Sequence, residues 1–217
     1  MQTHIFNEQQ SIFNTFIAEI RDTKIQTDPM RFRRNLERMG EIMAYEISKT
    51  LPYAETEVKT PLGIAKEELP KENVVVASIL RAGLPLHQGI LNYFDRADNA
   101  FVSAYRKYTE DGDFDIHIEY ISAPSLDDRI VILSDPMLAS GNSMELAYKA
   151  LLHKGRPVHV HLAALIASKV GIEFVQEALK DEPVTLWVGA VDDELNAKSY
   201  IVPGLGDAGD LAYGTKL

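Results

Sequence analysis

The most chemically suggestive stretch of the chain is an apolar run that ends at an acid. Residues 130–133 are short, apolar and β-branched, which predicts a buried strand, and Asp135 follows one residue later. A loop of small residues, 136–143, then leads to the apolar stripe Met144, Tyr148 and Leu151, which predicts an amphipathic helix. An acid at the carboxyl end of a parallel strand faces the crevice where open α/β sheets bind ligands. The combination predicts a ligand site at this strand end.

The same loop offers groups that bind an anion. Backbone N–H groups and the hydroxyls of Ser140 and Ser143 lie where the helix is predicted to begin, and the helix dipole favours negative charge there. This arrangement predicts a phosphate site. The alternative is a plain strand-to-helix turn in which Asn142 or Ser143 is the N-cap, and the residues alone leave both open.

Two arginines follow predicted strands in a similar way. Arg81 comes after the apolar run 74–79, and Arg106 comes after the apolar segment 100–104. A guanidinium fork can bind a phosphate or carboxylate group through paired hydrogen bonds. A surface ion pair is the alternative for either arginine taken alone.

The stretch 200–210 is rich in glycine. Gly204, Gly206 and Gly209 match the spacing of a dinucleotide-binding fingerprint. That fingerprint opens a helix within a βαβ unit and needs an acid about 20 residues further on, and neither is predicted after Gly209. The longer segment 197–217 instead has little apolar periodicity, and irregular segments of this length are often functional in a compact domain.

Three side chains outside these segments are expected to be structural. His159 and His161 share one face of a predicted strand, as a metal pair would. Because no third ligand lies nearby in the sequence, we expect partly exposed structural histidines. Trp187 lies in an apolar strand and is expected in the core.

These candidate residues need a scaffold, which the hydrophobic pattern predicts. Apolar runs alternate with helical stretches, with strands near 74–79, 100–104, 130–133, 158–162 and 184–188 and helices near 85–94, 142–152 and 172–179. The alternation predicts one α/β domain over 1–217, with a mostly parallel sheet covered by helices on both faces. An acidic, glycine-bearing turn within 106–121 predicts a protruding β-hairpin.

The segment 1–52 is predicted to be helical. Its first helix has Ile12, Phe16 and Ile20 on one face, with Phe13 and Ile17 beside them. Asp28 and Pro29 are typical of an N-cap and a first helical position. The helix that follows carries an apolar stripe made of Phe32, Leu36, Met39, Met43 and Ile47. The stripe would cover either this subunit's own sheet or a second copy of the chain.

Composition excludes several classes of function. The chain has 217 residues, no cysteine and a net charge of -10. Disulfides, zinc thiolates, iron–sulfur clusters and cysteine nucleophiles are therefore excluded. The negative charge repels nucleic acid and anionic lipid, so neither is expected as a partner. With no apolar run long enough to span a membrane and no leader pattern, the sequence predicts a cytoplasmic protein.

Three of these stretches resemble motifs of one family. Residues 130–143 resemble the phosphoribosyl-diphosphate motif of the type I phosphoribosyltransferases, and 135–141 are close to the form used in the uracil phosphoribosyltransferase family. Residues 77–84 resemble the family's arginine-bearing turn, and 200–210 resemble its uracil loop. The motifs occur in the family's order, and the resemblance covers roughly residues 20 to 217.

The resemblance implies pyrimidine salvage, in which 5-phosphoribosyl 1-diphosphate and uracil give UMP and diphosphate, with Mg²⁺ carried on the diphosphate. It implies catalytic roles for Arg81, Arg106, Asp135 and Asp207. Besides these, the phosphoribosyl diphosphate would be bound by Pro136, Met137, Leu138, Ala139, Ser140, Gly141, Asn142 and Ser143. Uracil would be bound by Tyr200, Ile201, Gly206, Asp207 and Ala208, and magnesium would lie near Asp135 and Asp207.

The resemblance further implies a homodimer or a dimer of dimers, and it raises GTP as an effector. The chain departs from the family pattern at Lys107, Tyr108, Asn142, Lys169 and Leu211. Two other functions stay open, a pyrimidine-sensing regulator that binds RNA and a phosphoribosyltransferase for a different base. The net charge argues against the first.

Overall fold

The computed structural model describes residues 1–71, 73–108 and 114–215, and for 104–108 and 114–118 it describes the backbone alone. Within these residues the strands are β1 (Gln2–Ile5), β2 (Tyr53–Thr60), β3 (Gly63–Pro70), β4 (Val74–Leu80), β5 (Asp98–Tyr108), β6 (Phe114–Ser122), β7 (Ile130–Ser134), β8 (Met137–Leu138), β9 (His159–Ser168), β10 (Val184–Asp192), β11 (Glu194–Leu195) and β12 (Ile201–Val202). The α-helices are α1 (Phe13–Arg21), α2 (Pro29–Ser48), α3 (Leu84–Leu91), α4 (Asn142–Leu151), α5 (Lys169–Ala178) and α6 (Ala208–Tyr213).

A mostly parallel sheet forms the centre of the fold, which confirms the predicted fold class. Its strand order is β1-β10-β9-β7-β4-β5-β6, and the short β8 also pairs with β9. Each neighbouring pair is parallel except β5 and β6. Parallel neighbours require crossover connections, and helices supply most of them.

Helices cover both faces because alternate residues of each buried strand point to opposite sides. Val74 and Val76 of β4 pack with the apolar sides of α1, α2 and α3. Val75 and Ala77 pack with α4 and α5 on the other face. All four valine and alanine side chains are buried, as expected for a sheet covered on two sides.

The amino-terminal helices pack onto this subunit's own sheet. The α2 stripe is almost completely buried in the same core as the sheet residues Val76 and Ile132, so it is not left for a second copy. Asp28 is the N-cap of α2, and its carboxylate accepts hydrogen bonds from the backbone N–H groups of Met30 and Arg31.

The prediction for the face of α1 was correct for Ile20 and wrong for Ile12 and Phe16. Phe13, Ile17 and Ile20 are the buried residues, whereas Ile12 is exposed and Phe16 is only partly buried. Ile12 is the N-cap of α1 and lies outside the helix, and Phe13, Ile17 and Ile20, spaced by four and three residues, share one face of a helix with 3.6 residues per turn.

Some strands lie outside the predicted alternation. β1 pairs in parallel with β10 at one edge of the sheet, and β2 pairs with β3 as a separate antiparallel hairpin. The antiparallel pairing of β5 with β6 agrees with the hairpin expected over 106–121, although the turn 109–113 lies outside the described residues. No helix in the described part of the chain is long and apolar enough to cross a membrane.

Candidate active site

The carboxyl ends of four parallel strands lie side by side along one border of the sheet, and this border is called the carboxyl edge. β4 ends at Leu80, β7 at Ser134, β9 at Ser168 and β10 at Asp192. Ser78 is opposite Ser134 in the β4/β7 register, and Asp192 is opposite Ser168 in the β9/β10 register. Open α/β sheets bind ligands at this edge, so the loops that leave these strands are the candidate site.

Asp135 lies at the base of this edge. Its backbone N–H donates to the carbonyl of Ala163 on β9 (3.0 Å), and its Oδ1 accepts from the N–H of Met137 (3.2 Å). The side chain is partly buried. Burial raises the pKa of Asp135 to about 7, and the Met137 N–H opposes that rise only in part. The acid is therefore fixed in place and poised to change charge near neutral pH.

The loop after Asp135 turns sharply at a glycine. Gly141 has a φ of +86° and is the N-cap of α4, so Asn142 and Ser143 are the first helical residues and neither is the side-chain cap considered from the sequence. A Cβ on Gly141 would lie 2.7 Å from Cδ1 of Phe174. Both the backbone angle and the close packing therefore require glycine.

The beginning of α4 presents the groups that bind anions. The first N–H groups of a helix have no partner within the helix, and no side chain caps α4. The side chains of Ser140 and Ser143 are partly buried beside these groups, whereas Asn142 is exposed. The amide of Asn142 therefore lies on the surface of the loop.

Helix α5 supports this loop from behind. Oγ of Ser168 donates to the carbonyl of Ala139 (2.6 Å) and accepts from the N–H of Gly171 (2.8 Å). A Cβ on Gly171 would lie 2.2 Å from that same Ala139 oxygen. The next residue, Lys169, takes no part in these two hydrogen bonds and forms an exposed ion pair with Asp193.

The role of Ser168 in supporting the loop was not predicted from the sequence. A serine between an apolar strand and a helical pattern predicts an N-cap, and Ser168 is the N-cap of α5. That pattern contains no information about Ala139, because the second hydrogen bond joins residues far apart in the chain.

Arg81 lies in the turn after β4 and reaches the carboxyl-terminal segment. Its Nη2 donates to Oδ1 of Asp210 (2.9 Å) and to the carbonyl of Gly214 (2.6 Å). The ion pair expected as the alternative for Arg81 is thus present, and its side chains are 37% and 30% exposed. Water and an incoming anion can therefore reach the guanidinium.

The turn that carries Arg81 also packs against the end of β7. A Cβ on Gly83 would lie 2.4 Å from Oγ of Ser78 and 3.0 Å from the carbonyl oxygen of Ser134, the residue before Asp135. Arg81 and Asp135 therefore belong to neighbouring loops at the same edge. Arg106 lies three residues beyond Ser103, which is opposite Leu80 at the end of β4, and its side chain is outside the described part of the structure.

The carboxyl-terminal segment folds tightly over the same edge. Ile201 is buried in β12, and Gly204 and Gly206 have φ values of +55° and +95°. A Cβ on Gly204 would lie 2.1 Å from the carbonyl oxygen of Ile201, whereas a Cβ on Gly206 would have no atom within 4 Å. Gly206 is therefore required by its backbone angle, and the space beside it is open.

Asp207 caps the last helix. Its Oδ1 accepts from the N–H of Asp210 (2.9 Å) at the start of α6, which has only six residues. A Cβ on Gly209 would lie 3.2 Å from that Oδ1 and 3.6 Å from Nε of Arg81. Asp207 and Arg81 thus flank one glycine. Tyr200, at the start of the segment, is exposed.

A shared apolar cluster joins the carboxyl-terminal segment to the loop after β7. Ile201 and Ala208 are buried in the same cluster that Met137 and Ala139 pack against. Apart from Arg106, whose side chain is not described, the structure thus brings the three candidate stretches to one edge of the sheet.

The two histidines lie away from this edge. His161 is buried, not partly exposed as expected, and its Nδ1 accepts from Nε1 of the buried Trp187 (3.1 Å). His159 is partly buried and contacts Oγ1 of Thr185 (3.0 Å). Among the residues described, no group of three or more histidine or acidic side chains is arranged to hold a metal ion.

Comparisons with known proteins agree on one family. The sequence model described as uracil phosphoribosyltransferase matches residues 7–215. A curated protein named uracil phosphoribosyltransferase from Porphyromonas gingivalis is 57% identical over 209 residues, which cover 96% of each chain. One with the same name from Methanothermobacter thermautotrophicus is 40% identical over 189 residues, covering 86% of this chain and 85% of its own length.

Two solved structures share the fold of this chain. The AQ2163 protein from Aquifex aeolicus is 32% identical with a TM-score of 0.86, and the match covers 99% of this chain and 100% of that one. A hypoxanthine phosphoribosyltransferase from Staphylococcus aureus is 9% identical with a TM-score of 0.50, covering 75% of this chain and 76% of its own. The second likeness concerns the fold alone.

Proposed function

This chain belongs to the uracil phosphoribosyltransferase family, and we propose that it transfers the 5-phosphoribosyl group of 5-phosphoribosyl 1-diphosphate to uracil. The bond from C1 of the ribose to the diphosphate oxygen breaks, the bond from C1 to N1 of uracil forms, and the N1 proton is released. The products are UMP and diphosphate. The observation that carries the proposal is the meeting of three loops at one sheet edge, with Arg81 hydrogen-bonded to Asp210 across two of them.

The loop 136–143 holds the 5-phosphate. The free N–H groups at the start of α4 and the hydroxyls of Ser140 and Ser143 donate to the phosphate oxygens, and the helix dipole adds to the attraction. The turn at Gly141 and the support from Ser168 keep these donors fixed before the substrate arrives. A site that is already organised loses little entropy on binding.

Asp135 holds the ribose. As a carboxylate it accepts hydrogen bonds from the ribose hydroxyls, which also orients C1 towards the base. Its pKa of about 7 means that a large share of the chains carry the neutral acid at neutral pH before substrate binds. Binding of hydroxyl donors, or of a cation nearby, favours the charged form.

Arg81 and Arg106 meet the departing diphosphate. Negative charge grows on the diphosphate as its bond to C1 breaks, and fixed guanidinium groups stabilise that charge. Arg81 exchanges its contacts with Asp210 and Gly214 for the diphosphate oxygens. Since both sets of partners are oxygen acceptors, the exchange leaves the guanidinium satisfied throughout.

The residues at this edge fit magnesium delivered on the diphosphate. Mg²⁺ prefers oxygen ligands, keeps several waters and commonly binds through one or two carboxylates together with substrate phosphates. Asp135 and Asp207 are the carboxylates at hand, and the described residues offer no complete protein cage. When bound, the ion neutralises part of the diphosphate charge.

Backbone groups of the carboxyl-terminal segment bind uracil. The open space beside Gly206 admits a flat ring. Tyr200, which is exposed, and Ile201 and Ala208, which are buried, are near Gly206 in the chain and are assigned to this base site. Carbonyl groups accept from N3–H of uracil, and N–H groups donate to its carbonyls. Cytosine would leave these groups mismatched at about 1–3 kcal/mol for each one. Asp207, beside Arg81, steadies charge near the reacting atoms.

The family resemblance also implies an oligomeric state and raises an effector. We expect a homodimer or a dimer of dimers, supported by the apolar side chains of Leu62, Ile64 and Leu69, which are strongly exposed on the β2/β3 hairpin. Light scattering should give two or four times the chain mass. The family resemblance also raises GTP as an effector, and the transferase assay with and without GTP tests whether it changes the rate.

One assay separates this function from its rivals. The chain is supplied with 5-phosphoribosyl 1-diphosphate, Mg²⁺ and one of uracil, cytosine, hypoxanthine or orotate, and diphosphate release is measured. We expect release with uracil alone. Diphosphate release with another base would instead identify a transferase for that base. No release with any of the four bases would favour a pyrimidine-sensing regulator.

A further inference from the structure

We propose that Arg21 and Asp192 are positioning residues that hold the uracil-binding segment in its working shape through Gly204. The proposal rests on the function proposed above. Neither side chain was a candidate in the sequence, where they lie 171 residues apart. Neither is assigned to touch substrate, so both act through the backbone of the segment.

Four hydrogen bonds define the arrangement. The guanidinium of Arg21 binds both carboxylate oxygens of Asp192, each at 2.8 Å. Nη1 of Arg21 also donates to the carbonyl of Gly204 (3.0 Å), and the N–H of Gly204 donates to Oδ2 of Asp192 (2.9 Å). Both backbone polar groups of Gly204 are thus held, one by each member of the ion pair.

Burial makes these contacts strong constraints. The side chain of Asp192 is 7% exposed and that of Arg21 is 22% exposed. A partly buried pair is screened less by salt than an exposed one, and removal of Arg21 would leave the buried charge of Asp192 uncompensated. A lysine could keep the charge of Arg21, but it could not reproduce the paired donors that reach the carboxylate and the Gly204 carbonyl together.

Gly204 passes the constraint to the proposed base site. It has a φ of +55°, and its Cα lies so close to Ile201 that a Cβ would be 2.1 Å from the Ile201 carbonyl oxygen. Gly206 follows two residues later with its own positive φ. A shift of Gly204 would therefore move both Ile201 and Gly206, the residues on either side that are proposed to contact uracil.

The phosphate loop is held by other residues. Its support comes from Ser168, which bonds the Ala139 carbonyl. The proposal therefore predicts a selective effect, in which loss of the Arg21 and Asp192 contacts weakens uracil binding and leaves binding of phosphoribosyl diphosphate nearly unchanged. A general loss of stability would weaken both.

The test compares Arg21→Lys and Asp192→Asn with Asp193→Asn, which removes the neighbouring exposed ion pair to Lys169. We expect the KM for uracil to rise roughly tenfold or more in the first two variants, since small misplacements of positioning groups have effects of that order. The KM for phosphoribosyl diphosphate should stay within about twofold, and Asp193→Asn should resemble the parent chain.

Amide hydrogen exchange supplies a second measurement that needs no turnover. Exchange over 201–206 should rise in Arg21→Lys, while exchange over 138–143 stays the same. This comparison stands even if the parent chain does not use uracil, so it separates failure of the inference from failure of the proposed function. If Asp192→Asn does not fold, Arg21→Lys decides. Equal changes in both KM values, or unchanged exchange over 201–206, would overturn the proposal.

Discussion

Ser168 and Asp192 are register partners at the carboxyl ends of the adjacent strands β9 and β10. Ser168 bonds the backbone of the phosphate loop at Ala139, and Asp192 bonds the backbone of the carboxyl-terminal segment at Gly204. Two neighbouring strand ends thus each fix one of the two loops proposed to bind substrate. Because paired strands lie about 4.8 Å apart, this register fixes the positions of the two anchoring residues relative to each other.

Removal of the Ser168 hydroxyl should loosen the phosphate loop selectively. In Ser168→Ala the Ala139 carbonyl and the Gly171 N–H both lose their partner. We expect the KM for phosphoribosyl diphosphate to rise several-fold with little change for uracil, and the free energy of unfolding to fall by about 1 kcal/mol, the usual value of an N-cap. Lys169→Ala is the control, because that exposed side chain does not contact the loop. Equal behaviour of the two variants would contradict this role.

A methyl group on Gly141 should disrupt the same loop through the backbone. Gly141→Ala combines an unfavourable φ of +86° with a contact of 2.7 Å to Phe174, and we expect a loss of stability of about 1–3 kcal/mol. Binding of phosphoribosyl diphosphate should weaken as the donors of α4 shift. Gly63→Ala is the matched control, since its Cβ would meet nothing within 4 Å. The free energy of unfolding of both variants is measured by denaturant titration. A similar loss of stability in Gly141→Ala and Gly63→Ala would contradict the explanation by backbone angle and contact with Phe174.

Asp135→Asn should lower turnover and raise the free energy of unfolding above neutral pH. The folded pKa of Asp135 is raised to about 7, so between pH 4 and 7 the folded chain binds more protons than the unfolded chain, and stability falls as pH rises. The amide removes this penalty, and the variant should be more stable than the parent at pH 8 by ~1–3 kcal/mol, with little gain at pH 4 and severe loss of turnover.

The measurement for Asp135 is urea unfolding at pH 4 and pH 8. Asp95→Asn is the control, because that aspartate is exposed. A stability difference between Asp135→Asn and the parent that is the same at both pH values would mean that the titration of this acid has been misassigned.

His161 should make the fold sensitive to acid. Burial, together with the nearby His159 and His4, lowers the pKa of His161 to about 3, while the unfolded histidine titrates near 6.5. The unfolded chain therefore binds the extra proton first, and the free energy of unfolding falls as pH drops from about 6.5 towards 3, by at most ~1.4 kcal/mol for each pH unit. His161→Gln should flatten this slope.

The pH dependence of unfolding can be followed by the fluorescence of Trp187, whose Nε1 donates to the His161 imidazole. Unfolding is compared at pH 7.5 and pH 5 in the parent chain, in His161→Gln and in His153→Gln, which alters an exposed histidine. His153→Gln should keep the parent's pH dependence. An unchanged slope in His161→Gln would show that another group controls acid stability.

The sequence predicted those features that depend on local pattern. The N-cap Asp28, the buried stripe of α2 and the strand that ends before Asp135 follow from spacing along a single element, and the structure agrees with each. The error in the face of α1 has a local cause too, because residues at repeated steps of four drift around a helix of 3.6 residues per turn, whereas Phe13, Ile17 and Ile20 stay on one side.

What the sequence could not predict depends on distant partners. Arg21 reads as an ordinary polar residue at the end of α1, and only the fold brings it to Asp192 and Gly204. The hydrogen bond from Ser168 to the Ala139 carbonyl likewise joins residues that lie far apart in the chain. Composition and periodicity describe neighbours in the chain, whereas these contacts depend on which strands pair and in what register.

The most direct test of the shared site is a crystal structure of the chain with UMP, because the nucleotide spans both loops at once. We expect its phosphate on the N–H groups of 138–143, its ribose beside Asp135 and its uracil ring against Ile201, Gly206 and Ala208. A nucleotide bound with its phosphate on that loop and its base away from Gly206 would contradict the account, as would binding elsewhere on the molecule.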